Sequence, residues 1–134
     1  MATLDDVATI ALRLPEVTEG EGRSGRAWSV AGRTFAWERR FSKADLKRFG
    51  DDPVPSQPIV AARVDDLGEK EAVLAAGHKG FFTIPHFDGY AAVLIELGAV
   101  GTTPLRAAIA DGWAACAPAE LVAEHRRTTS PRRR

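Results

Sequence analysis

The sequence predicts an α+β fold, an antiparallel sheet with helices packed against it as a sandwich. Three observations lead there. Short β-branched or aromatic runs bounded by breaker residues recur at 27–31, 34–39, 59–64, 81–84 and 91–97. Stretches with apolar residues at helical spacing and plausible caps open and close the chain. The resulting order is helix, hairpin, strand, helix, two strands and two helices, which is not the strict strand–helix alternation of a parallel sheet.

Residues 3–14 form the first predicted helix. Leu4, Val7, Ala8, Ala11 and Leu14 share a face, and Thr3 with Asp6 matches a capping box. Pro15 ends it, because the residue before proline avoids the helical region. The polar, glycine-rich stretch 16–26 reads as a connection. In the next two runs Trp28 and Val30 alternate with Ser29, and Phe35 and Trp37 with Ala36 and Glu38. Gly32-Arg33 joins them as a hairpin. Ser42 caps a short helix, and the proline-rich stretch that follows reads as an exposed loop, since proline cannot donate to a sheet.

After the strand at 59–64, Asp66 caps a helix over 67–76, with Glu69 at the capping-box position and Gly77 as the stop. The runs 81–84 and 91–97 then read as two strands around a wide loop, Pro85-His86-Phe87-Asp88-Gly89-Tyr90. The sheet is expected to be organised around them. Thr103 as cap and Pro104 in the first turn start another helix, with Leu105, Ile109 and Trp113 as one packed stripe. Ala117-Pro118 interrupts it, and a last helix runs from 119 to about 125. The reading is one domain over 1–125 and a basic, disordered tail over 126–134.

At 134 residues the chain is long enough for one real core, and 45% hydrophobic with 27% charged residues is ordinary for a water-soluble globule. No apolar run is long enough to span a bilayer, so no membrane partner is expected. The first residues carry acids where an export signal carries bases, and the single cysteine, Cys116, excludes an internal disulfide. Both point to the cytoplasm. The formal net charge of zero hides an asymmetry: residues 126–134 hold five arginines and no acid. The other 125 residues carry 13 bases against 18 acids, about −5, which disfavours general nucleic-acid binding by the body.

Two groups of residues carry candidate chemistry. His86 and Tyr90 offer an imidazole and a phenol as a ligand-binding pair, or else fix a turn and fill the sheet. Arg39, Arg40, Lys43, Lys47 and Arg48 form the basic cluster of the body, with Trp37 and Phe41 interleaved. It reads either as a wing touching phosphates or as a solvated face diluted by Asp45, Asp51 and Asp52. Arg126 and Arg127 begin the tail and extend the same electrostatic reading. His78, His86 and His125 lack metal-ligand spacing, and no nucleophile–base pattern or phosphate-cradling glycine loop is present. A non-enzymatic protein without cofactor is expected.

The segments LRLPEVTEG (12–20), VAGRTFA (30–36), VDDLGEKEAVLAA (64–76) and FFTIPHFDGYAAVLIEL (81–97), followed by Trp113, Ala117-Pro118 and Leu121, together resemble the MmcQ/YjbR family of small bacterial proteins. The resemblance lies in their order and spacing, from about Leu4 to His125. It implies a CyaY/frataxin-like sheet packed against helices, and a double-wing mode of DNA contact through hairpins. The chain departs from the family in the central loop. There an Asn-Lys pair and a tryptophan commonly follow the histidine, whereas Phe87-Asp88-Gly89-Tyr90 follows His86 here. Frataxin-like folds also suggest iron, but the first helix offers only Asp5 and Asp6, with Glu16 past its end. Two functions follow as expectations: DNA binding through Arg39, Arg40, Lys43, Arg126 and Arg127, or a small-ligand or protein-interaction module built on His86, Tyr90 and the sheet face.

Overall fold

The computed structural model describes residues 2–23 and 25–129. Helix α1 (Leu4–Leu12) starts at the capping box the sequence announces: the Asp6 amide donates to the Thr3 hydroxyl at 3.1 Å and the Thr3 amide to the Asp6 carboxylate at 2.8 Å. Its Val7, Ala8 and Ala11 are buried.

Strands β1 (Val17–Gly22), β2 (Gly25–Val30), β3 (Arg33–Glu38), β4 (Ile59–Arg63), β5 (Phe81–Phe82) and β6 (Ala92–Glu96) form one antiparallel sheet in the order β1-β2-β3-β4-β6-β5. The α+β class is therefore as the sequence predicts, and β6 lies inside the sheet, paired to both β4 and β5. The stretch expected as a connection is instead the edge strand β1. Its side chains are almost all exposed, so it lacks the apolar alternation that marks a strand. Pairing to β2 holds it, helped by Glu19, which accepts from the Trp28 indole at 2.9 Å and pairs with Arg26 at 2.8 Å.

The β2–β3 turn is centred on Ala31 and Gly32, at φ 51° and 78°, one residue earlier than expected. A bulge at Phe35 follows, because Trp28 lies opposite Ala36 while Ser29 lies opposite Thr34. The bulge turns both Phe35 and Ala36 toward the main core.

Helices α2 (Lys43–Phe49), α3 (Leu67–Ala75), α4 (Thr102–Cys116) and α5 (Ala119–Thr129) complete the chain. α4 begins at Gly101 without a side-chain cap, so Thr103 lies inside the first turn rather than at the cap. The Leu105–Ile109–Trp113 stripe is fully buried against Trp28, Val30, Phe35 and Val60, and the Trp113 indole donates to the Pro15 carbonyl at 3.0 Å. Gly112 lets α4 approach this closely: a Cβ there would lie 3.1 Å from the Phe35 carbonyl oxygen and 3.2 Å from that of Arg63.

A second, smaller core lies on the opposite face of the sheet. Ile59, Ala61, Ala92 and Leu94 meet Ile84 and Phe87 of the central loop, with Phe41 and Phe49 of the α2 region alongside. The helix expected to end near His125 continues to Thr129, which places Arg126 and Arg127 on α5. The expected disorder of the tail concerns in its remainder residues 130–134, which lie outside the described residues.

Candidate functional site

The loop between β5 and β6 crosses the sheet face opposite α1 and α4. It starts as a 3-10 turn, Pro85–Phe87, where proline supplies the first position, and Phe87 anchors it in the smaller core. Gly89 then adopts φ +76°, and the Tyr90 amide closes onto the Phe87 carbonyl at 3.0 Å. A side chain from α3 fixes the result. The buried Lys70 ammonium donates to the carbonyls of Phe87 at 2.6 Å and Tyr90 at 2.9 Å. Burial pushes its pKa below the ordinary lysine range, with the Asp88 carboxylate opposing that shift.

This loop and β3 bring three rings together. Phe87 stacks near Trp37 with centroids 6.4 Å apart, Tyr90 lies 6.3 Å from Trp37, and Phe87 and Tyr90 meet edge to face at 5.5 Å. Two guanidinium groups lie over these rings, Arg39 over Phe87 at 5.6 Å and Arg63 over Tyr90 at 5.4 Å. Beside them opens a depression of about 640 Å³, whose wall includes Arg23, Trp37, Arg39, His86, Phe87 and Tyr90. That is the size of a small-molecule site, and the partly exposed Trp37 and Tyr90 rings, the Arg23 and Arg39 side chains and the Glu38 carboxylate line it.

The sequence-predicted residues divide accordingly. His86, Tyr90 and Arg39 converge on this depression. His86 sits exposed in the 3-10 turn, and Tyr90 keeps 41% of its surface in solvent while its ring packs on Trp37 and Phe87. The basic cluster is largely neutralised by its neighbours. Arg39 pairs with the buried Asp45 at 2.9 Å, Arg48 approaches the same carboxylate at 3.6 Å, and Arg40 meets Glu38 at 3.3 Å. Lys43 is exposed at the start of α2. Arg126 lies on the helical side, in a cleft with Asp65, Glu69 and Asp111. There burial raises the Asp111 pKa, the neighbouring Glu69 and Asp65 add to the rise, and Arg126 opposes it. Arg126 and Arg39 therefore belong to different surfaces, and Arg127 is exposed on α5 with Arg126.

Sequence reasoning missed Phe87, Arg63 and Lys70. Lys70 had a signal: it lies three and four residues before Val73 and Leu74, on the face that an amphipathic helix turns inward. Arg63 ends a strand whose other side chains are all buried.

A second depression of about 640 Å³ lies between α1 and α4, bordered by Ile10, Leu14, Leu105, Arg13 and Arg106. It lacks the ring platform, so the sheet-face depression is the stronger candidate. Among the described residues, no group of three or more His, Cys, Asp or Glu side chains is placed to hold a metal ion, and no helix is long and apolar enough to cross a membrane.

Fold and depression together define an α+β protein with an aromatic, arginine-bordered recess on one sheet face. Uncharacterized protein Rv2570 of Mycobacterium tuberculosis (strain ATCC 25618 / H37Rv) and Uncharacterized protein Mb2600 of Mycobacterium bovis are each 42% identical to the chain over 125 residues, covering 91% of it and 94% of their own length. The chain belongs to the family of these mycobacterial proteins. No family model matches it. No solved structure matches it either.

Proposed function

We propose that this protein is a non-enzymatic binding module that takes a planar, aromatic small molecule in the recess beside Trp37, Phe87 and Tyr90. The observation that carries the reading is a depression of about 640 Å³ walled by the partly exposed rings of Trp37 and Tyr90, with the buried Phe87 packed against both, on the sheet face away from α1 and α4. Stacking on an aromatic platform contributes on the order of 1–3 kcal/mol per ring and tolerates many planar partners. The Lys70 clamp supports the same reading, since it holds the loop that carries two of the rings.

The double-wing DNA reading suggested by the MmcQ/YjbR resemblance has weaker support. A wing needs cations free to meet phosphates, whereas Arg39 and Arg40 already face Asp45 and Glu38.

Trp37 provides the test. Trp28 and Trp113 are 0% and 2% exposed, so a ligand in the recess should change the emission of Trp37 alone. Titration with 2-naphthamide and naphthalene-2-carboxylate is expected to quench tryptophan fluorescence saturably in the wild type. The quench should vanish in Trp37→Phe. Absence of any response to either compound at millimolar concentration would remove this reading, and tight duplex DNA binding at physiological salt that survives replacement of the five arginines of 126–134 would replace it.

A further inference from the structure

The inference concerns the charge of the ligand and rests on the reading of the recess as an aromatic site. Three arginines near this face have carboxylate partners: Arg39 and Arg48 with Asp45, and Arg40 with Glu38. Arg63 differs. Among the described residues its side chain makes no hydrogen bond or ion pair, as is also true of Arg23 in the recess wall, but only in Arg63 is the Nε buried without an acceptor. Its guanidinium instead faces the Tyr90 ring, 5.4 Å from the guanidinium carbon. A half-buried cation held only by a ring face lacks the acceptors that normally compensate its desolvation.

Arg63 stands beside the recess rather than in its wall, with the half-exposed Tyr90 between them. To reach this guanidinium a planar ligand stacked near Trp37 has to extend past the rim of Tyr90, the ring the two share. We propose that the ligand of this site is an aromatic carboxylate, and that Arg63 receives its carboxylate group. The chemistry follows from the donor. A guanidinium presents a planar fork of N–H groups that matches the two oxygens of a carboxylate. One guanidinium balances one negative charge, whereas a phosphate monoester carries about −1.5 to −2 near neutral pH.

The experiment compares naphthalene-2-carboxylate, the neutral 2-naphthamide and 2-naphthyl phosphate by isothermal titration calorimetry. The proteins are the wild type, Arg63→Gln, Arg63→Lys and Arg23→Gln, each checked for an unchanged melting temperature. The wild type is expected to prefer the acid over the amide by about 10- to 100-fold, the usual reach of a charge-assisted hydrogen bond. Arg63→Gln should bind both equally. Arg63→Lys, which keeps the charge without the fork, should retain a smaller preference and serves if the glutamine variant fails to fold. Equal binding of acid and amide by the wild type overturns the Arg63 assignment while leaving the aromatic site standing. A preference that survives in Arg63→Gln and disappears in Arg23→Gln overturns it too. Tighter binding of the phosphate ester overturns the choice of carboxylate. Failure of all three compounds removes the aromatic site and this inference together.

Discussion

Gly89 holds φ +76°, yet nothing lies within 4 Å of the position a Cβ would take. Conformation rather than crowding therefore selects glycine there, and a β-branched residue pays the full cost of that region. Gly89→Val is expected to destabilise the fold by about 1–3 kcal/mol. The exposed His86 contributes little packing, so His86→Ala should leave stability nearly unchanged. Urea denaturation of both variants decides this, and equal midpoints would contradict the loop geometry. Asp45 sets a pH dependence. Desolvation, the largest single influence, raises its pKa, but the Ser42 hydrogen bonds and the Arg39 cation together outweigh it and hold the carboxyl below its ordinary value. A group depressed in the folded state contributes stability above its unfolded pKa, about 3.9 for aspartate, and loses it as pH falls through the folded pKa. Asp45→Asn should thus be less stable than wild type at pH 7, with the deficit shrinking toward pH 2. A deficit that stays constant over that range would exclude the ionic role. At this scale the sequence was partly legible. It marked Ser42 as the start of a helix, but the role of Asp45 in its capping box and its ion pair with Arg39 depend on where β3 ends relative to α2.

Between elements, the decisive link joins α3 to the loop before β6. The Lys70 side chain crosses from the helix to two loop carbonyls, so the positions of Phe87 and Tyr90 depend on α3 being in place. Lys70→Met keeps the aliphatic stem but leaves the buried Phe87 carbonyl without its ammonium donor. The expected cost is about 1–3 kcal/mol, together with faster hydrogen exchange at the Tyr90 amide, which closes the loop onto Phe87. Stability and exchange both unchanged would show that the loop holds itself. Most elements were legible because caps and periodicity are local signals. Thr3 with Asp6, Ser42 and Asp66 mark three helix starts, and the β4 and β6 runs are apolar on both faces because both faces of the sheet are covered there. β1 was not legible, since an edge strand with exposed side chains needs only backbone pairing and two anchors, Glu19 and Arg26. The recess was half legible. The loop between two strands announced His86 and Tyr90, whereas Trp37, Arg63 and Lys70 join them only through pairings between β3, β4, β6 and α3.

At the scale of the whole molecule, charge separates the two readings of function. The tail segment 126–134 is +5 and the remainder about −5, so attraction to phosphates should reside mostly in those five arginines. Because α5 runs to Thr129, truncation after His125 would also remove the last helical turn, so replacing the five arginines by glutamine is the cleaner test. Each neutralised phosphate contributes about −0.9 to the slope of log affinity against log salt. Wild-type protein is therefore expected to bind duplex DNA weakly and without sequence preference, with a slope of about −3 to −5 if most of these arginines engage. The five-fold glutamine variant should lose nearly all of that binding, while Arg39→Gln with Arg40→Gln should change it little, because Asp45 and Glu38 already face those guanidinium groups. A double-wing protein behaves in the opposite way: the five-fold variant keeps most of its affinity, and the Arg39 and Arg40 pair removes it. Fluorescence anisotropy at three salt concentrations separates the cases. Tight binding by the five-fold variant at physiological salt would refute the charge argument and restore DNA as the ligand. Weak binding lost with the arginines leaves the aromatic recess as the specific site of the molecule.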